Sequence, residues 1–385
     1  MNPTITRNIV SALALVGAAA CAGEQPAPAK VTAPVTAGLW LDATTGAEVS
    51  APWAALFQRY PRNPVLRANL SNEWESGLVY NPTAIQDEGQ TFLFYRAENI
   101  AAEDHARGDV YVSRIGLASS KDGVTFTRDP NNPVLGLDGP FAEWKTRGTE
   151  DPRVARLDNG LFVMTYTAYK GRDAKGTYHF RLFLASSRDL RHWTEHGPVF
   201  PQPAKSAAII PQKIRGKYWM YYGDNRIRLA SSADGIHWDA TGTVVLAPRP
   251  EMFDHGGVET GPAPFMTPRG ILLFYNGYDK GHNAYVGTPT AGERYSIGAA
   301  LFDLQDPARV LARTARPLLE PQAAYELWKR PEQSDVHRHG VVFTNGAVVR
   351  EGQLHLYYGA ADAAVCVASA PLNPDFWQSS TAPAR

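Results

Sequence analysis

The chain has 385 residues, 44% of them hydrophobic and 11% aromatic, with 38 Lys plus Arg set against 38 Asp plus Glu. A net charge of zero offers no basic field to a nucleic-acid backbone or an anionic membrane surface, so the expected partner is neutral. The length permits one large core or two smaller ones, and the 9 Trp and 17 Tyr suit a sheet-rich protein while giving flat faces with polar tips for a sugar.

In chain order the first feature is an address. Arg7 precedes an apolar run from Ile9 to Ala20 that is too short to span a bilayer and ends in small residues, so residues 1–20 are expected to be a removable signal peptide. Ala18-Ala19-Ala20-Cys21 resembles the lipobox of bacterial lipoproteins, which implies export and a membrane attachment made only by a lipid on Cys21. Ala22, where an aspartate would signal retention in the inner membrane, favours the outer one. The leucine usual three residues before the cysteine is absent, and ordinary secretion with a nearby cut is the other reading. Residues 21–38 are Pro/Ala-rich and read as a linker, folding is expected over 39–375, and 376–385 reads as a tail. Cys366, inside the apolar run AAVCVAS, is the only other cysteine, which excludes a disulfide framework and reads as a small buried hydrophobe.

From Leu39 onward the chain repeats itself. TFLFYRAE (91–98), LFVMTYTAY (161–169), KYWMYYGD (217–224), ILLFYNGYD (271–279) and LHLYYGAAD (354–362) each predict a strand, and their tyrosines, Tyr95, Tyr166, Tyr221, Tyr275 and Tyr357, are spaced by 71, 55, 54 and 82 residues. A hairpin signature of strand, serine pair and Asp-Gly or Asp-Leu turn follows the first three, at 115–128, 182–195 and 227–240. A third strand precedes each aromatic one by some 15 residues: YNPTAI, EDPRVA, KSAAII, ETGPAP and HGVVFT. Five units of three or four strands with no sustained helical period predict an all-β fold, a five-bladed β-propeller.

In a propeller the first strand of each blade lines a central funnel, so Asn81, Glu150, Asp151, Lys205, Glu259 and His339 are expected to converge there. Strand alternation sends Glu150 and Asp151 to opposite faces, leaving one carboxylate inward and the other to pair with Arg153. A second inward carboxylate, Glu259, two blades on, completes the pair that glycoside cleavage requires, one group protonating the leaving oxygen and the other activating a nucleophile. Asp335-Val-His337-Arg-His339 is read as loop surface or substrate contact, not a metal site. No phosphate loop, nucleophile elbow or dinucleotide fingerprint occurs, so neither metal nor cofactor is expected.

These residues resemble glycoside hydrolase family 130, the β-mannoside phosphorylases and mannosidases, from about Asn81 to Leu372. The resemblance rests on Asn81-Pro82, Tyr95-Arg96-Ala97, Ser113-Arg114-Ile115-Gly116, Glu150-Asp151-Pro152-Arg153, the run Tyr295 to Asp303, and Tyr357-Tyr358-Gly359-Ala360-Ala361-Asp362. It implies a five-bladed propeller, Asp151 as general acid acting through a mannose hydroxyl, and Asp362 holding the inner mannose. Asn81, Arg96, Arg114, Arg153, Asn276 and His339 complete the expected substrate contacts. The phosphorylase members carry a lysine and a histidine that grip phosphate; this chain has Glu259 and Asn276 there. An anion in a phosphate site repels by a few kcal/mol at an intermediate dielectric, so the expectation is an inverting β-mannosidase with Glu259 as base. Mannoside phosphorolysis and non-catalytic glycan binding are the alternatives.

Overall fold

The computed structural model describes residues 39–53, 56–99, 112–280, 293–327 and 338–377. The expectations for the signal peptide, the linker and lipidated Cys21 fall outside the described residues. Among those described, the fold is all-β, with one short α-helix, α1 (Pro374–Trp377), and a few single 3-10 turns.

Three strands open the body: β1 (Trp40–Asp42), β2 (Glu48–Val49) and β3 (Gln58–Arg59). The rest fall into five antiparallel meanders. The first is β4 (Leu78–Asp87), β5 (Gln90–Asn99), β6 (Val112–Ser120) and β7 (Thr127–Arg128); the second is β8 (Gly148–Arg156), β9 (Phe162–Arg172), β10 (Tyr178–Ser187) and β11 (Thr194–Pro198). The third is β12 (Ala207–Ile209), β13 (Tyr218–Tyr222), β14 (Ile227–Ser232) and β15 (Asp239–Leu246). In the fourth, β16 (Gly257–Thr260) and β17 (Phe265–Thr267) both pair with β18 (Gly270–Lys280), followed by β19 (Glu293–Phe302) and β20 (Val310–Thr314). The fifth is β21 (Arg338–Arg350), β22 (Gln353–Ala360) and β23 (Ala364–Pro371). Its fourth strand comes from the other end of the chain: β3 pairs with β23, while β1 and β2 extend the fourth meander beyond β20.

The aromatic strands are apolar on both faces because each face meets a different neighbour. Phe92 and Phe94 enter a cluster shared with the second meander, while Leu93, Tyr95 and Ala97 enter one shared with the fifth. Ile271, Leu273 and Tyr275 face the third meander, and Leu272 and Phe274 the fifth. Val163 joins Ala207, Ile209 and Met220 of the third meander. Five clusters thus lie between successive meanders, the last returning to the first.

The predicted hairpin turns form as read. Asp122, Asp189 and Asp234 each accept backbone N–H groups two and three residues ahead, and Ser120, Ser187 and Ser232 accept a third. The left-handed residue that follows is Gly123, Leu190 or Gly235. The C-terminal boundary differs from the expected tail at 376. Phe376 is buried, and the Trp377 indole donates to Pro52 O (2.7 Å), so the folded body runs through α1.

Candidate active site

The site grows from a repeated backbone irregularity. In β4 the pairing with β5 slips between Tyr80 and Thr83, and in β8 the pairing with β9 slips between Glu150 and Arg153. Asn81-Pro82 and Asp151-Pro152 are the residues in the slips, and Asn81 (φ 45°) and Asp151 (φ 52°) adopt left-handed backbone. Ser206 (φ 57°) holds the same position ahead of β12. Such bulges re-aim side chains, and Asn and Asp tolerate left-handed backbone better than most residues.

The bulge overturns the expectation that Glu150 and Asp151 point apart. Both carboxylates meet one guanidinium: Arg96 Nη1 lies 3.3 Å from Asp151 Oδ1, and Nη2 lies 3.1 Å from Glu150 Oε1. Nη2 is also 2.8 Å from Glu98 Oε1, and Nε donates to Ser113 Oγ (3.0 Å). Asn81 Nδ2 donates to Asp151 Oδ1 (2.9 Å), and the Tyr80 hydroxyl donates to Glu98. The guanidinium sits 4.8 Å from the Tyr80 ring centroid, a cation–π contact.

Burial opposes charge on all these groups, and the balance differs between the two carboxylates. Asp151, 9% exposed, is pushed up by burial but held below its ordinary range by Arg96, then Asn81, Arg153 and Lys205. Burial pushes Glu150 up to about 7, with Arg96 pulling against it and Asp151 and Glu98 adding to it. Burial also opposes the charge on Arg96, yet Glu150, Tyr80, Glu98 and Asp151 together keep it firmly protonated.

Arg153 links this group to Glu259. It donates from Nη1 to Asp151 O (3.0 Å), from Nη2 to Thr260 O (2.8 Å) and from Nε to Thr260 O and Gly261 O (3.2 Å each), with Nη2 3.7 Å from Glu259 Oε1. Through these main-chain bonds it ties the second meander to the fourth, and its carboxylate partner is Glu259 and not the expected Glu150 or Asp151. Glu259, 4% exposed, accepts the Ser206 hydroxyl. Lys205 is held protonated by Glu259 first and, against burial, by Asp224 and Asp151 as well.

Two of the expected contacts, Asn276 and Arg114, lie away from the Arg96 group. Asn276, opposite Glu259 in the β16–β18 pairing, accepts from Thr344 N (2.8 Å) and donates to Thr344 O (3.0 Å) and Thr260 O (3.4 Å), so its amide staples the fourth meander to the fifth. Arg114 pairs with Ala97, which faces the fifth meander, opposite to Arg96; burial lowers its pKa. His339 lies in β21, and its side chain is outside the described residues. Asp362 follows Ala361 in a β22–β23 turn in which both have φ 52°. This turn touches β4, since Val79 N donates to Ala363 O (3.4 Å) and a Cβ on Gly359 would lie 2.4 Å from Asn81 Oδ1. Sequence reasoning missed Tyr80, Glu98, Ser113 and Ser206. Ser206 was findable, one residue after Lys205, because it aligns with Asn81 and Asp151. Among the described residues no cluster of His, Cys, Asp and Glu is placed to hold a metal.

Asn81, Arg96, Glu150, Asp151, Arg153, Ser206 and Glu259 therefore form one connected network, in which Arg153 joins the Asp151 main chain to the Glu259 carboxylate. The family described as β-1,4-mannooligosaccharide phosphorylase, glycoside hydrolase family 130, matches residues 56–374. A 1,2-β-oligomannan phosphorylase of Thermoanaerobacter sp. (strain X514) is 35% identical over 81% of this chain and 96% of its own. A solved β-1,2-mannobiose phosphorylase from Listeria innocua, in complex with β-1,2-mannobiose, is 27% identical with a TM-score of 0.64, covering 82% of this chain and 96% of that one. Another solved structure, from work describing family members that are glycoside hydrolases targeting β-1,2 mannosidic linkages in Candida mannan, is 31% identical with a TM-score of 0.70, covering 85% and 98%.

Proposed function

The chain belongs to glycoside hydrolase family 130, and on that premise we propose that it cleaves β-mannosidic bonds in oligosaccharides, with Asp151 as the acid. The observation that carries this reading is the anchoring of Asp151 by Asn81 and Arg96 on a bulged strand, in one network with Glu259. The bond from the anomeric carbon to the leaving oxygen breaks as that oxygen takes a proton from Asp151, directly or through a mannose hydroxyl, while an incoming oxygen bonds the opposite face. The names of the curated relatives weigh toward phosphate as the incoming group and β-1,2 as the linkage.

Hydrolysis, expected from Glu259, is the second reading and rests on the charge of the site. Among the described residues the carboxylates Glu98, Asp151, Asp224 and Glu259, with Glu150 beside them, outnumber the cations Arg96, Arg153 and Lys205 that they contact, even with Glu150 protonated. A phosphate dianion entering there meets net repulsion, and on this reading Glu259 takes a proton from water. The cyclic succession of clusters between five meanders supports the five-bladed propeller as the frame. Export and lipid attachment through Cys21 belong to the same proposal, supported by the sequence of residues 1–38.

Incubation with β-1,2- and β-1,4-mannobiose, with and without phosphate, separates the readings. Phosphorolysis gives mannose 1-phosphate and stops without phosphate; hydrolysis gives mannose regardless. Glu259→Gln is expected to cut hydrolysis by about 10²–10⁴-fold and to leave phosphorolysis standing. Turnover of neither disaccharide overturns the proposal.

A further inference from the structure

Three carboxylates, the buried Glu98 and Asp151 and the largely buried Glu150, share the single guanidinium of Arg96. Asp151 Oδ1 accepts from two donors, Asn81 and Arg96, the environment of an anion. Yet an acid must carry a proton when the glycosidic bond breaks. Glu150 is the neighbour that can supply it, because the bulge places both carboxylates on adjacent nitrogens of one fork, and like charges so close do not both ionise freely.

We propose that Glu150 and Asp151 act as one carboxyl pair clamped by Arg96, in which Glu150 stores the proton that Asp151 delivers to the leaving sugar. The proposal rests on the acid role given to Asp151 above. One proton moves from the Glu150 carboxyl to the Asp151 carboxylate, through a water or a sugar hydroxyl, and on to the glycosidic oxygen as its bond to the anomeric carbon breaks. Both carboxyls are then ionised until the proton released by the attacking water or hydrogen phosphate restores the pair. The charged and titratable groups acting on Glu150 are Arg96 and Glu98 on β5, Asp151 on β8, and Lys205 ahead of β12; Tyr80 on β4 reaches it only through Glu98, and Arg153 on β8 through the Asp151 main chain. Burial raises Glu150 to about 7, while Asp151, equally enclosed, is held low by Arg96 and Asn81, so the stored proton resides on Glu150 near neutral pH.

The test is the pH profile of kcat in Glu150→Gln and Glu150→Asp, beside a carboxyl titration of the free protein by ¹³C NMR. In the wild type the basic limb is expected near pH 7. Glu150→Gln leaves Asp151 alone with its donors, so the limb moves at least one unit lower and kcat at pH 7 falls about tenfold or more, recovering toward acid pH with KM little changed. Glu150→Asp restores part of the limb. A merely structural Glu150 predicts an equal loss at every pH, and that outcome, or an unmoved limb, overturns the proposal. The titration needs no turnover: a carboxyl titrating near 7 in the wild type and missing in Glu150→Gln supports the pair whatever the substrate. Absence of such a carboxyl from the wild type overturns the proposal even if mannosides are cleaved or the variant does not fold.

Discussion

Asp151 and Glu150 share a guanidinium, but their protonation pulls stability in opposite directions. The pKa of Asp151 is depressed, so its contribution is present above the ordinary 3.8 and lost as pH falls through its folded value. That of Glu150 is raised from 4.5 to about 7, so the favourable contribution of its proton is present below 4.5 and lost as pH rises toward 7. Glu150→Gln is therefore expected to compare better with the wild type at pH 8 than at pH 5, measured as the difference in urea midpoint at the two pH values. A difference independent of pH would show that the Glu150 carboxyl is unperturbed. Asp151→Asn keeps the size and the bulge, so turnover is expected to vanish while circular dichroism and Tm stay near those of the wild type. Residual turnover above about 1% would move the acid elsewhere.

The three hairpin turns share an Asp anchor but differ at one residue. Gly123 and Gly235 take their left-handed backbone freely, whereas Leu190 holds φ 65° and is wholly buried in the cluster between the first two meanders. Left-handed backbone costs a non-glycine residue about 1–2 kcal/mol, which burying a leucine offsets at about 1.5–3 kcal/mol. Leu190→Ala loses the burial and keeps the backbone cost, and is expected to destabilise by about 2–4 kcal/mol in denaturant unfolding. Leu190→Gly removes one more carbon yet relieves the backbone, so it is expected to cost no more than Leu190→Ala. A clearly larger loss for glycine would mean that the left-handed turn carries little strain.

No meander has a core of its own, since every cluster is made by two neighbours and the fifth returns to the first. Unfolding is therefore expected to be one cooperative transition, with tryptophan fluorescence and far-UV circular dichroism coincident in denaturant. Trp53, buried against Trp40, Phe57 and Phe274, joins the N-terminal segment to the fourth and fifth meanders. Trp53→Ala is expected to cost about 3–5 kcal/mol and to keep the transition single; separated transitions would show that the meanders fold independently.

The repeat, the strand content, the serine–aspartate turns and the positions of Asn81, Asp151 and Glu259 were legible in the sequence, because side-chain alternation and turn chemistry are local properties of the chain. The tertiary structure decided what local pattern cannot reach. A bulge cancels the alternation that was expected to separate Glu150 from Asp151. Arg153 and Asn276 each send a donor to backbone of another meander, Arg153 to Thr260 O and Asn276 to Thr344 O, which no local pattern reveals. The fifth meander takes its outer strand from Gln58–Arg59, some 300 residues away in the chain, and a pairing of that separation depends on which strand edge the assembled fold leaves open.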